Sequence, residues 1–318
     1  MSEIVCEAQD FLMNTNVEQK IFGDNSSAIY SATMKELFRL EDIMSFYREA
    51  SEVSLLNGQA GKEPVRLSKE MMLVLQQSKY YSLLSENAFN IMLSPLIQLW
   101  RKAGKENKLP SDEDIKSTMA FCDNDNLTLD TDNHTAYLKK SCMIDLGGIG
   151  KGFAADVCCD IYKNMGATSA FINLGGNVKT IGNRTDGKQW TAGIQHPDKQ
   201  RGNCYCAIMC SDLSVVTSGG YERYQEINGL QYHHILDGGT GYPSETDLKS
   251  VTVISQSSIQ ADALSTAAFV AGLKKGIDLI YTSKCVGAIF FTTSNEIYMT
   301  KGVKQHLKLL ERLTCYEV

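Results

Sequence analysis

Asp262 and Thr266 stand four residues apart within Ala261-Asp262-Ala263-Leu264-Ser265-Thr266-Ala267-Ala268-Phe269-Val270, a stretch with the look of a helix. That spacing puts a carboxylate and a hydroxyl on one helical face. Near a helix N-terminus the pair offers the hard oxygen donors that Mg²⁺ prefers, and the ion keeps positions open for phosphate. It has an equally simple structural use, because an early Asp complements the helix dipole and a Thr one turn later bonds a backbone carbonyl. Spacing alone leaves both uses open. A second source of chemistry lies in Tyr232-His233-His234-Ile235-Leu236-Asp237. Histidine accepts a hydroxyl proton near neutral pH, and on a strand the two adjacent rings face opposite sides. A third is the glycine-rich run from Met143 to Asp156, read as a strand entering Gly147, Gly148, Gly150 and Gly152 and then a helix. Backbone amides in such a turn can approach an anion, although tight packing asks for the same residues. The run is neither a Walker A loop, since Gly152 follows Lys151, nor a dinucleotide fingerprint. A second turn of this kind runs from Ala170 to Val178.

These residues need elements to hold them. Residues 251–254 are β-branched and predict a buried strand, Ser257 or Ser258 caps the helix that follows, and Gly272 stops it. Between the histidines and that strand, Gly238-Gly239-Thr240-Gly241-Tyr242-Pro243 reverses the chain. Nearer the start, residues 11–17 and 20–22 suggest one strand ending at Gly23-Asp24-Asn25. Ser26 or Ser27 then caps a helix with Ile29, Met34, Leu37, Phe38 and Leu40 mainly on one side, delivering Met44-Ser45-Phe46-Tyr47-Arg48. A helix from about Ser68 carries Met71, Leu75, Tyr80 and Leu83 as core, followed by a polar loop, 85–90, around Phe89. Residues 102–133 are polar and predict a surface excursion with a short helix opened by Pro110-Ser111-Asp112-Glu113. Segments 127–129 and 136–138 read as a hairpin. No repeat or low-complexity linker marks a domain boundary.

Composition narrows the classes. With 318 residues, 43% hydrophobic and 21% charged, the chain can bury a large core. A net charge of -6 without a Lys/Arg block argues against nucleic acid as a partner. No apolar run is long enough for a membrane span, and acidic residues in 1–15 do not suit a signal peptide, which leads us to expect a cytoplasmic protein; a trimmed exported form would read the same. Among ten cysteines, Cys158-Cys159 and the Cys204, Cys206, Cys210 cluster match no zinc spacing, so reduced, partly buried thiols are expected.

Five segments, Asp145 to Gly152, Asn173 to Asn177, Ser218 to Tyr224, His234 to Pro243 and Ala261 to Ala267, occur in the order seen in the ApbE family, the FAD:protein FMN transferases, which the chain resembles. The resemblance extends to Leu12-Met13 and to 85–90, spans about 11–300, and implies a single domain over 1–318. It also implies an α+β, T-fold-like mixed architecture of two interleaved subdomains with the active site between them. The implied activity is Mg²⁺-dependent cleavage of FAD with transfer of FMN, through its phosphate, to a Ser/Thr hydroxyl of an acceptor flavoprotein, releasing AMP. Carried over by residue, His234 and Asp262 are catalytic, His233 is structural, and Asp262, Thr266, Ser265 and the Gly148 carbonyl hold the metal. Met13, Tyr47, Ala88, Phe89, Asn90, Asp145, Lys151 and Leu236 contact FAD. The chain departs from the family pattern with Asn87 and Asn90 in place of Gly and Asp, Gly220 in place of Asp, and Gly238 in place of Pro. Two other outcomes follow from the same site: an FAD pyrophosphatase in which water replaces the hydroxyl, and a flavin-binding protein without catalysis.

Overall fold

The computed structural model describes residues 5–318; residues 1–4, on which part of the signal-peptide expectation falls, lie outside the described residues. Nine strands form one sheet in the order in which the chain makes them: Val5–Leu12, Thr15–Phe22, Ser169–Leu174, Asn177–Ile181, Ser214–Gly219, Leu248–Ser255, Gly287–Thr292, Glu296–Met299 and Thr314–Glu317. Neighbours are antiparallel throughout except for the last pair. Successive strand residues face opposite sides, and the two sides are covered differently. Val216, Val253 and Phe290 join the core under the helices Ser26–Met44, Gly150–Asn164 and Ser258–Ser283. Val215, Ile254 and Phe291 join a second core under a small sheet of Trp190–Gln195, Cys204–Cys210 and Leu307–Leu309. The central strands are thus buried on both faces, which is why 251–254 reads as a continuous run without polar alternation.

A third cluster gathers around Trp100, from the helices Ser94–Glu106 and Asp112–Met119 and the hairpin of Tyr224–Ile227 with Leu230–His233. Its pieces fall, in sequence, between strands of the large sheet, so the two parts interleave as the α+β expectation requires. The Trp100 indole N–H donates to the Gly241 carbonyl at 2.9 Å and pins the glycine-rich reversal to this cluster. No helix among the described residues is long and apolar enough to cross a membrane. All ten cysteines are free and half-buried or buried, as expected.

Several local expectations are corrected. The first strand is a hairpin, turned at Met13 and Asn14, whose φ values of 53° and 57° are both left-handed. The helix after it begins behind Asn25 without a side-chain cap, and Phe38 points to solvent. Tyr80 and Leu83 are exposed, whereas Met71 and Leu75 are core. Residues 143–146 approach the glycine run as extended loop without strand pairing. The turn between Ala170 and Val178 joins two strands, not a strand and a helix, through Gly175 and Gly176 at φ 61° and 95°. Gly272, at φ 77°, kinks the 258–283 helix without ending it, because Asp247 Oδ1 accepts from the Leu273 N–H at 3.0 Å and restarts the next turn.

Candidate active site

A cleft of about 1010 Å³ opens where the large sheet, its helices and the Trp100 cluster meet. That is the upper end of the roughly 300–1,000 Å³ usual for small-molecule sites. Met13, Tyr47, Ala88, Phe89, Asn90, Asp145, Gly148, Lys151, His234, Leu236, Asp262 and Thr266 all line it, although they come from stretches as distant as 13 and 266. Ser265 is the one expected site residue that does not. It is fully buried behind Thr266 and gives its proton to the Asp262 carbonyl at 3.0 Å.

The Asp262 carboxylate is set by the glycine-rich helix. Its Oδ2 accepts from the Gly152 N–H at 2.8 Å. A Cβ at Gly152 would lie 2.4 Å from the Ser258 carbonyl and 2.7 Å from Asp262 Cβ, so only glycine lets the two helices approach this closely. The same helix supplies Asp156, whose oxygens accept from the Ser258 and Ile259 N–H groups at 2.8 and 3.0 Å and which also pairs with Lys179. Asp156 therefore caps the helix that carries Asp262, alongside the Ser257 hydroxyl, which accepts from Gln260 N. Sequence reasoning passed over this role because cap and helix are about a hundred residues apart.

The glycine amides do less for an anion than expected. Gly147 N donates to Asp145 Oδ1 at 2.7 Å, Gly150 N to the Leu146 carbonyl at 2.8 Å, and Gly152 N to Asp262. The run serves mainly to bring backbone and helices together. Lys151 folds back so that Nζ meets the Gly147 carbonyl at 2.8 Å, its charge still facing the cleft.

At Thr266 the plain helical use is displaced. The carbonyl one turn back, on Asp262, takes its side-chain hydrogen bond from Ser265, while Thr266 Oγ1 lies 3.1 Å from Ser218 Oγ. Ser218 reaches 2.8 Å from Ser265 Oγ as well. Gly148 faces this group, since a Cβ there would come within 3.6 Å of Thr266 Oγ1 and 3.2 Å of the Phe89 ring. Among the described residues no three His, Cys, Asp or Glu side chains could share a metal ion. The donor set is instead one carboxylate with neutral hydroxyl and carbonyl oxygens, which suits a hard cation such as Mg²⁺ and not a thiophilic one.

Both histidines line the cleft, and they make different contacts. His233 Nε2 donates to the Ser244 carbonyl at 3.0 Å, and its ring packs edge-on against Phe269 at 5.7 Å. His234 opens onto the cleft, with Nδ1 held 3.0 Å from the Arg223 carbonyl. A carbonyl only accepts, so Nδ1 carries the proton and Nε2 keeps its lone pair. Although the side chain has open surface, the cleft walls crowd it. That desolvation, with the charges of Arg223, His233 and Lys151, lowers its pKa to about 4. Burial lowers that of His233 too.

The departures from the family pattern have local causes. Asn87 sits at φ 67°, which glycine adopts freely and asparagine tolerates, and its Oδ1 accepts from Asn124 at 2.8 Å. Asn90 accepts from Met92 N at 2.7 Å and donates to the Cys122 carbonyl at 2.8 Å, a bond that an aspartate could not make. Each end of its amide thus makes one bond within the protein, and the side chain still lines the cleft. A Cβ at Gly220 would lie 2.8 Å from the His233 ring, so any larger residue must displace that ring.

Tyr47, also in the lining, is 63% exposed, with the Arg101 guanidinium 5.4 Å from its ring centre. Met13 is held in its turn by Glu41, which accepts from the Met13 N–H at 2.8 Å.

Comparison with known proteins agrees with this architecture. The ApbE family model matches residues 13–290. An FAD:protein FMN transferase of Klebsiella pneumoniae (strain 342) is 34% identical over 91% of this chain and 90% of its own, and one of Treponema pallidum (strain Nichols) is 30% identical over 95% and 88%. The crystal structure of the ApbE protein from Thermotoga maritima MSB8 superposes with a TM-score of 0.88 at 30% identity, covering 95% of this chain and 99% of that one. The apo flavinyl transferase ApbE of Pseudomonas stutzeri gives 0.83 at 26% identity, over 96% and 97%. With the match running through nearly every element that lines the cleft, the chain belongs to the ApbE family.

Proposed function

We propose that this protein is an FAD:protein FMN transferase. It would cut the pyrophosphate of FAD and join FMN, through its phosphate, to a Ser or Thr hydroxyl of an acceptor flavoprotein, with AMP as the leaving group. The observation that carries the reading is the meeting, in one cleft, of the oxygen donors Asp262 and Thr266 with a neutral imidazole whose Nε2 is unprotonated. Relatives named for this activity support it.

In this reading Asp262, Thr266 and the Gly148 carbonyl hold Mg²⁺, with Ser265 behind them as support for Thr266. When bound, the ion neutralises and polarises the diphosphate. Met13, Tyr47, Ala88, Phe89, Asp145, Lys151 and Leu236 shape the FAD pocket, Asn90 through the loop it ties down. His234 takes the hydroxyl proton at Nε2 as the new P–O bond forms and the bond to AMP breaks. An anionic diphosphate beside the ring offsets the cationic surroundings that depress its basicity. The reading carries with it one transferase domain over 1–318.

The test is incubation with FAD, Mg²⁺ and a candidate acceptor domain, followed by intact mass and in-gel flavin fluorescence after denaturation. Acceptor that gains FMN while AMP appears is the expected outcome. AMP without a labelled acceptor would replace transfer by FAD hydrolysis, and FAD binding without AMP would leave only a flavin carrier.

A further inference from the structure

Ser218 has one hydroxyl proton and two oxygen neighbours, Ser265 Oγ at 2.8 Å and Thr266 Oγ1 at 3.1 Å. Distance alone leaves the donor in each pair open, but the next bond in the cluster decides both. Ser265 Oγ lies 3.0 Å from the Asp262 carbonyl, which can only accept, so the single Ser265 proton goes there. Ser218 must then donate to Ser265. With that proton committed, Thr266 must donate to Ser218. The three hydroxyls form a one-way chain from Thr266 through Ser218 and Ser265 to the helix backbone.

From this direction we propose that Ser218 and Ser265 are positioning residues that turn the Thr266 proton away from the cleft, so that its oxygen offers only lone pairs to a cation held with Asp262. The inference rests on the Mg²⁺ reading given above and adds to it the origin of the ligand's orientation. A hydroxyl free to rotate either points its proton at the cation or bonds the carbonyl one turn back. Ser218 prevents both from a different element. It stands near the end of the Ser214–Gly219 strand, opposite Val251, so the docking of sheet on helix sets the Thr266 oxygen. Ser265 is wholly buried, which leaves water little room to take over the relay.

The decisive pair of variants is Ser218→Thr and Ser218→Val, nearly equal in shape and different in the hydroxyl. Mn²⁺ is titrated into each at saturating FAD without acceptor, and free ion is counted by its EPR signal. Ser218→Val should bind roughly 10–100-fold more weakly than wild type, the range typical of lost support behind a metal ligand, while Ser218→Thr stays close to wild type. Should the larger side chains unfold the strand, Ser218→Ala and Ser265→Ala serve instead. Both should weaken binding in wild type, and neither should weaken it further in a Thr266→Ala background. Equal affinities for the Thr and Val variants, or full additivity with Thr266→Ala, would overturn the relay and leave the cation site standing. Absence of Mn²⁺ binding by the wild type would overturn the cation site itself and the relay with it.

Discussion

In one part of the cleft Asp262, Thr266, Ser218 and Ser265 are tied to one another and to Gly152 by hydrogen bonds between two helices and a strand. Elsewhere on its wall Tyr47 stands 63% exposed, with the Phe46 ring edge and the Arg101 guanidinium beside it. The first region is arranged before any ligand arrives and needs little reordering at the moment of reaction. The second has freedom to lose on binding, so it contributes affinity at an entropic cost and little to the rate. A substitution should therefore act on turnover in one region and on saturation in the other.

Asp262→Ala attacks the ordered region most directly. It removes the Asp262 carboxylate and orphans the Gly152 N–H, a buried donor whose loss of a partner costs about 1–3 kcal/mol. Transfer should fall at least as far as it does without the base, roughly 10²–10⁴-fold or more, with a lower melting temperature. Mg²⁺-dependent turnover at the wild-type rate in this variant would break the contrast. His234→Ala comes next, with transfer slowed roughly 10²–10⁴-fold and FAD affinity largely kept. His233→Ala should instead lose stability, about 0.5–1.5 kcal/mol for its ring contact with Phe269, and keep most of its rate. Acceptor labelling and thermal melts on the pair decide the assignment, and the reverse pattern moves the base by one residue.

A pH profile sharpens the picture at smaller amplitude. Because the pKa of His234 is lowered from 6.5 to about 4, the free enzyme holds the neutral ring well below pH 6.5. The acid limb of kcat/KM for FAD should then lie near the lower value, with activity level from about pH 8 to about pH 5. The same shift affects folding. The unfolded chain binds the proton first, so the stability contributed is fully present above 6.5 and is lost as pH falls toward 4. Denaturant midpoints that hold constant down to pH 4 would contradict it. The smallest effect belongs to the exposed wall, where Tyr47→Ala should raise the FAD dissociation constant about 2–10-fold, corresponding to roughly 0.5–1.5 kcal/mol, with kcat unchanged. An unaltered FAD titration would remove Tyr47 from the pocket.

What could be read in the sequence was local, or matched a family pattern. The buried strand around Val253, the Ser257 cap and the Asp262–Thr266 face follow from composition and period, and the structure has all three. The Met13 turn was hidden because a methionine at φ 53° contradicts local preference, and Glu41, 28 residues away, is what holds its amide. Tyr80 and Leu83 kept helical spacing, yet the core side of that helix follows Met71, Leu75 and Ser78. The hydroxyl chain could not be read at all, since Ser218 and Ser265 meet only when a strand docks on a helix 47 residues further along. The glycine run was legible as a close approach, and at Gly152 what approaches is a second helix.

Position 152 shows what that contact imposes on the history of the chain. A methyl group there would sit 2.4 Å from one backbone carbonyl and 2.7 Å from the next Cα, both fixed atoms of a helix that cannot rotate aside. Even the most conservative mutation is closed to it, and drift elsewhere in the cleft cannot reopen it without first parting the helices. A saturation library at this codon should return glycine alone among active clones, while the exposed Tyr47 accepts many replacements.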